Sequence, residues 1–444
     1  MASTALRYCP RAMVSLTAAV EGSDQLVTTK VVPSSVNVTR KPHTHADEAR
    51  VEVLGSALPF DPRQIESLAM VIWLGDVAGI NDDVSLSENN IRFASYVDTD
   101  EDERSDKGPR VELVARDMSG VLRDAKKWDA KAAPRYSDTL ESAISKILME
   151  VPGAEQLEID LPSDLQGVTL GKAANKKTAT GPIPLPKAQC SAWEAIEAAA
   201  GIIGLLVDVD MDTIRLRTPA SVFGDTSNPE STKPAYSFVF GTEKGNLLSV
   251  RRRKRFLSVR KGVRVVSFDP DSRSILEQDW PPDGALPPRK RPPIHKRTKK
   301  PSKTAPKAIA PPERDIFRVP GLHTKDAALT VAKRIWTERA KQEIEGEIVT
   351  PLWDADLLNL KNGDRIIIKI APDIEAELQR TNDDEKKIRF LQSRLMIERE
   401  AARVLIRASQ HRPSDLFYVK QVHFSWRADG APSVSINFLN LIVL

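Results

Sequence analysis

Apolar and polar residues alternate with a period of two along much of this chain. The pattern is clear in Arg50-Val51-Glu52-Val53-Leu54, Arg110-Val111-Glu112-Leu113-Val114, Lys261-Gly262-Val263-Arg264-Val265-Val266, Arg365-Ile366-Ile367-Ile368-Lys369 and Ser433-Val434-Ser435-Ile436-Asn437. Such runs read as strands with one packed face and one solvated face. A helical period appears in fewer places. Asp138 with Glu141 predicts a capping box opening a helix over DTLESAISKILM, and Ser191 with Glu194 predicts another over SAWEAIEAAAG. GLLVDVDMDTIRLRTP then reads as a tight hairpin turning near Asp210 to Thr213. A third helix, about 324 to 341, feeds the strand EIEGEIVTP. Between 371 and 410, Ile388, Leu391, Leu395, Ala402 and Leu405 fall at a/d-like spacing, interrupted by Glu398, which predicts one long amphipathic helix or a pair. The expected fold class is mainly β with α insertions (α+β).

The strand pattern also repeats. In the first third, a strand ending in Gly75-Asp76 is followed by the aromatic-bearing IRFASYVD, a turn at Gly108-Pro109 and the alternating RVELVARD. In the last third, Gly363-Asp364 leads into RIIIKI, then LFYVKQVHFSW, a turn at Gly430-Ala431-Pro432, and SVSINFLN. From Asp76 to Gly108 is 32 positions and from Asp364 to Gly430 is 66. The difference, 34, is close to the length of the helical stretch at 377 to 409. The chain therefore reads as two copies of one β-barrel, the second carrying a helical insertion in one loop.

Composition refines this picture in two places. The length of 444 residues with 41% hydrophobic and 28% charged content is globular, at about two to four domains. No stretch approaches the roughly 20 apolar residues of a bilayer helix. MASTALRYCPRAMVSL lacks the apolar run of a secretory signal, so a soluble chain, intracellular at synthesis, is expected. The net charge of +4 is uneven, because residues 289 to 307 hold nine Lys or Arg and no acid, leaving 4 − 9 = −5 for the remainder. Residues 281 to 312 also hold ten of the 31 prolines, and read as an exposed, extended linker or loop.

Catalytic signatures are sparse. Walker-type, GxGxxG, GxSxG and HExxH motifs do not occur. Cys9 and Cys190 are too few for a disulfide framework or a zinc set, and His43 with His45 reads better as a polar loop than as a metal pair. No metal or cofactor is expected. Asp117 and Asp124, beside Arg116, could form a paired-acid site for glycoside cleavage; the plainer reading has Asp117 and Gly120 shaping a turn while Arg116 pairs locally. The acidic run Asp98 to Glu103 lacks calcium-loop spacing and reads as a solvated hairpin tip. In the basic segment Arg289, Lys290, Arg291, Lys296, Arg297, Lys299 and Lys300 are candidate contacts to phosphate or to an acidic partner. Base-stacking aromatics are missing there, which disfavours sequence-specific recognition.

The succession VARDMSGVLRDAKKW, SAWEAIEAAAGIIGLLVDVDMDTIRLRTP, YSFVFGTEKGNLLSVRRRKRFLSVRKGVRVVSFDP, TKDAALTVAKRIWTERAKQEIEGEIVTP and LKNGDRIIIKI resembles the baseplate hub (late control protein D type) of contractile phage tails. The hub part of type VI secretion spike proteins is related. The resemblance covers roughly residues 28 to 444, and it is the order of the segments that carries it.

The resemblance implies an N-terminal arm at 1–27, a first tail-tube-like β-barrel at 28–130, a small α+β domain at 131–235, and a second barrel at 236–444. The basic loop 281–312 and the helical insertion at about 377–409 look like additions to the family pattern. It further implies a homotrimer whose six barrels form a ring joining a sixfold tail tube, or a tube-initiator protein, to a threefold central spike. Ring contacts would be made by strand addition and side-chain packing between neighbours. Wedge or sheath-initiator proteins would be further partners, and DNA would be transient cargo through the lumen. The setting would be the virion tail, assembled in the host cytoplasm, with no membrane span and no enzymatic turnover. The helix bearing Ile388, Leu391, Leu395 and Leu405 is the expected partner-docking element. A tail-tip cell-wall hydrolase and a nucleic-acid binder acting through 289–307 are the alternatives.

Overall fold

The computed structural model describes residues 10–23, 26–41, 45–61, 64–75, 86–105, 108–125, 133–173, 181–183, 185, 190–218, 236–240, 247–254, 262–269, 274–282, 314–319, 322, 325–340, 344–352, 355–370, 383–395 and 417–440. The first part of the chain forms β1 (Arg11–Val20), β2 (Leu26–Val31), β3 (Ser35–Arg40), β4 (Glu48–Leu54), β5 (Ile65–Gly75), β6 (Ile91–Ser105) and β7 (Gly108–Arg116). The alternation seen in the sequence is the alternation of burial: Val36, Val38, Val51, Val53, Val111 and Leu113 are all buried. Residues 11–20, expected within an N-terminal arm, instead form β1 between β2 and β5. Val14, Leu16 and Ala18 need a covered face, which pairing on both sides supplies.

A separate unit follows: α1 (Met118–Asp124), α2 (Leu140–Leu148), β8 (Glu158–Asp160), α3 (Leu170–Ala173), α4 (Ala192–Ile203), β9 (Leu206–Asp210) and β10 (Thr213–Arg217). Its sheet runs β8-β10-β9. Its own core gathers Leu122, Leu140, Ile144, Ile147, Trp193, Ile196, Val207 and Ile214. Met118 and Leu122 join that core, so the unit begins before residue 131. The Ser191–Glu194 capping box forms as expected, and Gly204 closes α4 in the left-handed region at φ +79°. At the other expected box the N-cap lies one residue further on and is one-way. Thr139 caps α2 by accepting from the Ser142 amide, while Asp138 binds Lys146 Nζ at 2.7 Å.

The last part holds β11 (Tyr236–Phe240), β12 (Ser249–Lys254), β13 (Gly262–Asp269), β14 (Ser274–Trp280), β15 (Arg314–Arg318), α5 (Lys325–Ala340), β16 (Ile344–Pro351), β17 (Arg365–Ile370), α6 (Asp384–Leu395), β18 (Phe417–Arg427) and β19 (Ser433–Asn440). A small sheet β14-β13-β15 packs on α5 around Val263, Val265, Val331 and Trp336. It stands between β12 and β16, as an insertion between two paired strands.

The remaining strands belong to one 13-stranded sheet with the path β12-β16-β19-β18-β3-β4-β7-β6-β5-β1-β2, with β17 on β18 and β11 on β17. Two segments of that path have one wiring. In the first, β5-β6-β7-β4-β3 are neighbours; in the second, β17-β18-β19-β16-β12 are neighbours, antiparallel at every step. Each copy has a 3-10 turn after its second strand, at Gly55–Ala57 and at Ala355–Asn359. Each also has a register shift between its fourth and fifth strands, at Val97/Thr99 and at Val419/Gln421. A bulge adds one unpaired residue and bends its strand. The internal repeat is thus a repeat of topology.

Among the described residues no barrel closes. The two copies are instead fused edge to edge by β3 and β18, over a shared core that includes Val36, Val51, Ile72, Leu113, Phe238, Ile348, Phe424 and Phe438.

One glycine shows how tight that core is. A Cβ on Gly346 would stand 2.3 Å from the Phe438 ring and 2.4 Å from the Arg251 carbonyl oxygen. Gly346→Ala is expected to destabilise by about 1–3 kcal/mol through overpacking. Gly201→Ala, where a Cβ meets nothing within 4 Å, is expected to stabilise α4 by about 0.5–1 kcal/mol. Urea denaturation of both variants checks the contrast.

Candidate functional site

The feature that sets this fold apart is the line where the two copies meet. β3 runs antiparallel to β18 with Val422 opposite Arg40, Phe424 opposite Val38 and Arg427 opposite Ser35. Side chains cross the same line. Thr39 Oγ1 lies 2.8 Å from His423 Nδ1, and Trp426 Nε1 donates to the Pro10 carbonyl at 2.7 Å. Buried Arg40 donates from Nη1 to the Leu360 carbonyl at 2.8 Å, and its guanidinium stands 5.6 Å from the Phe424 ring centroid. Arg92, also buried, donates from Nε to the Leu74 carbonyl at 3.2 Å and from Nη1 to Asn359 Oδ1 at 3.4 Å. Both arginines thus tie the first copy to the turn that follows β16 in the second.

The α/β unit is pinned at the same junction. Asp210, at the end of β9, is bound by Lys361 from the second copy and by Arg215 from β10. Burial pushes its carboxyl up, but the Lys361 hydrogen bond and the charges of Lys361, Arg215 and Arg40 outweigh that and hold it below the ordinary value. Burial dominates at Asp364 and raises it, against the Lys361 amide and the neighbouring cations.

Asp117 sits where β7 passes into α1. Its Oδ1 accepts from the Ser119 amide at 3.0 Å and from the Ser119 hydroxyl at 2.6 Å, capping the helix. Its Oδ2 accepts from the Asp47 amide at 3.0 Å, which fastens the β3–β4 connection. Burial raises Asp117 to about 6, against the Ser119 hydrogen bond that lowers it, and Asp208 adds to the rise. Asp47 is raised too, by burial first and by Asp117 second.

These positions decide several sequence expectations. Asp117 is a helix cap, while Arg116 binds Asp98 Oδ2 at 2.6 Å and Asp124 Oδ2 at 2.6 Å on the surface. That is the turn-shaping arrangement, with Arg116 paired locally. The acidic run 98–103 is not a hairpin tip. It lies within β6, which continues to Ser105 before β7 starts at Gly108. Its alternation is hidden in the sequence because both faces carry charge. Among the described residues no group of three or more His, Cys, Asp or Glu could hold a metal ion, and no helix is long and apolar enough to cross a membrane.

Arg289, Lys290, Arg291, Lys296, Arg297, Lys299 and Lys300 lie outside the described residues, as does Leu405. Ile388 and Leu391 on α6 are 5% and 0% exposed, buried in their own chain; Leu395 closes the described helix. Sequence reasoning missed Arg40, Lys361 and Asp210. Their signal is purely spatial, since 320 positions separate Arg40 from Leu360.

No family model matches the chain, and no curated protein matches its sequence. Solved structures do. The tail protein from Neisseria meningitidis MC58 superposes with a TM-score of 0.53 at 11% identity, over 96% of this chain and 96% of that one. The 43 kDa tail protein of prophage MuSo2 from Shewanella oneidensis gives 0.52 at 11% identity, over 97% of this chain and 98% of that one. At such low identity the likeness is one of fold, and it extends over nearly the whole chain. The fold is that of phage tail proteins, in keeping with the baseplate-hub resemblance in the sequence.

The buried acid gives a pH test. Asp117 has a folded value of about 6, above its unfolded value of about 3.9. The folded state therefore holds the extra proton between those values, and stability falls as pH rises from about 4 through 6. Asn also caps helices and does not titrate. The melting temperature of Asp117→Asn minus that of the native protein is expected to increase between pH 4.5 and pH 7.5. Thermal melts at both values check it, and a flat or decreasing difference contradicts it.

Proposed function

We propose that this protein is the structural hub of a phage or phage-like tail baseplate, of the contractile type, acting as a homotrimer. Two strand systems of one topology in a single chain carry this reading. Three such chains present six similar units around an axis, which lets a sixfold tail tube or tube initiator rest on a threefold spike. Each unit contributes one tube-type barrel wall to the ring. The chain works by geometry, so no catalytic step is proposed. Asp117 and Asp124 are already engaged as a cap and a surface ion pair.

The tail fold shared with the two solved tail proteins supports a place in the virion tail. The seam supports rigidity: Arg40, Lys361 and Asp210 lock both copies and the α/β unit together, as a part loaded between tube and spike requires. Wedge or sheath-initiator proteins are the proposed lateral partners. Since Ile388 and Leu391 are buried, a docking surface on α6 would be its exposed side, with Glu385, Lys386 and Arg389. DNA passes through the lumen as cargo. The acidic balance of the chain outside 289–307 disfavours its retention.

The direct check is mass. Light scattering of the purified protein is expected to give three times the 49.1 kDa chain mass. A single-chain mass at tens of micromolar, with the fold intact by circular dichroism, contradicts the hub reading.

A further inference from the structure

The seam between the copies has an unmatched counterpart in the same chain. In the second copy the β17 side of β18 changes partner along its length. β17 pairs at Phe417 and Tyr418, the register shifts at Val419/Gln421, and from Val422 to Arg427 that side is taken by β3. In the first copy β5 pairs with β6 as far as Tyr96, and the register shifts at Val97/Thr99. From Thr99 to Ser105 the corresponding side of β6 has no strand on it among the described residues. The strand equivalent to β3 is β12, which is the outermost strand of the sheet path with its far edge unoccupied by any described strand.

Superposing the two wirings gives a register. The bulges align Thr99 with Gln421, hence Asp100 with Val422 and Ser105 with Arg427. Through β4 and β16, Ser35 aligns with Ser249 and Arg40 with Lys254. Transferring the β3–β18 pairing to β12 and β6 then sets Asp100 opposite Lys254, Glu101 opposite Arg253, Asp102 opposite Arg252 and Glu103 opposite Arg251. In that register, which follows from the backbone pairing alone, four acidic positions face four basic positions in succession. Opposite charges in directly facing positions stabilise a sheet, and like charges oppose it.

We infer that a second copy of this chain adds its β12 antiparallel to the side of β6 that carries no described strand, in that register, and that three such junctions close the trimer. This deepens the proposed hub function and rests on it. The local environment fits. Glu101 is exposed and faces another acid, Glu112 of β7, whose own cation Arg50 stands 3.7 Å away, so a cation on the other side of Glu101 adds to the offset of that like charge. Arg253 is 77% exposed and only 3.7 Å from Glu345 in its own chain, leaving most of its guanidinium for another acid. The Thr39–His423 contact at 2.8 Å, which is the intrachain counterpart of Arg253–Glu101, shows that facing side chains touch at this position of the seam. A charged edge also refuses strands of the wrong sign, which limits open-ended association.

The test uses the full chain. Glu101→Arg with Glu103→Arg, and separately Arg251→Glu with Arg253→Glu, are each expected to raise the concentration at which the oligomer dissociates by about tenfold or more. All four changes together are expected to restore it to within about threefold of native. Circular dichroism and melts establish that each variant is folded. A second experiment does not depend on charge: Glu101→Cys with Arg253→Cys is expected to oxidise to covalent dimers and trimers. Glu101→Cys with Arg251→Cys, two positions out of register, should cross-link far less. A trimer that survives both reversals and gives no 101–253 disulfide overturns this interface while leaving the hub reading standing. A single-chain mass for the native protein overturns both.

Discussion

The backbone pairing of β3 with β18 is the interaction on which the rest of the structure depends. Six residues of the first copy, Ser35 to Arg40, serve as a sheet partner for the second, so neither copy has a complete set of neighbours alone. An exposed strand edge is a row of unpaired amides and carbonyls, and pairing it satisfies that row with a definite register. The seam is sealed by apolar side chains from both sides, including Val36, Val38, Phe424 and Trp426. It is then locked by Arg40, which reaches a carbonyl of the other copy from a buried position. Removing a buried charge's partner is costly, so the junction resists hinging. A rigid join between two like units holds them at one fixed relative orientation.

The insertions respect that constraint. The α/β unit lies between the two copies in sequence, the β13–β15 sheet with α5 lies between β12 and β16, and α6 lies between β17 and β18. Each leaves the five-strand wiring of its copy unchanged. Two of the three have separate cores, around Trp193 and around Trp336, so they add surface without disturbing the shared sheet. Lys361 and Asp210 then fix the α/β unit to the seam. The carboxyls raised by burial at Asp47 and Asp117 are the cost of closing this junction over polar connections.

Most strands were legible because one face of each is covered, and alternation such as Val51, Val53 and Val111, Leu113 records that directly. The helix at Ser191 was legible because its cap and its Glu194 are local. The end of β6 was not, because from Asp98 to Glu103 neither face is apolar and period-two reasoning has nothing to read. β1 was missed for a different reason: its run Met13-Val14-Ser15-Leu16-Thr17-Ala18 looks weak until β2 and β5 flank it. The repeat itself was visible as an order of turns and strands. Fusion through β3 and β18 was not, since pairing between residues nearly 400 positions apart leaves no local mark. The same holds for Arg40, which reads in sequence as the ordinary polar end of a strand.

If one seam joins the copies within a chain and a matching seam joins neighbouring chains, every junction in the ring is of one kind. Cryo-electron microscopy of the purified oligomer, viewed down its symmetry axis, tests this most directly. The account predicts three chains presenting six strand systems at near-equal angular steps, with SVRRRK of one chain lying beside the acidic half of β6 of the next. Chains that meet elsewhere, or copies separated by unequal steps, would contradict it.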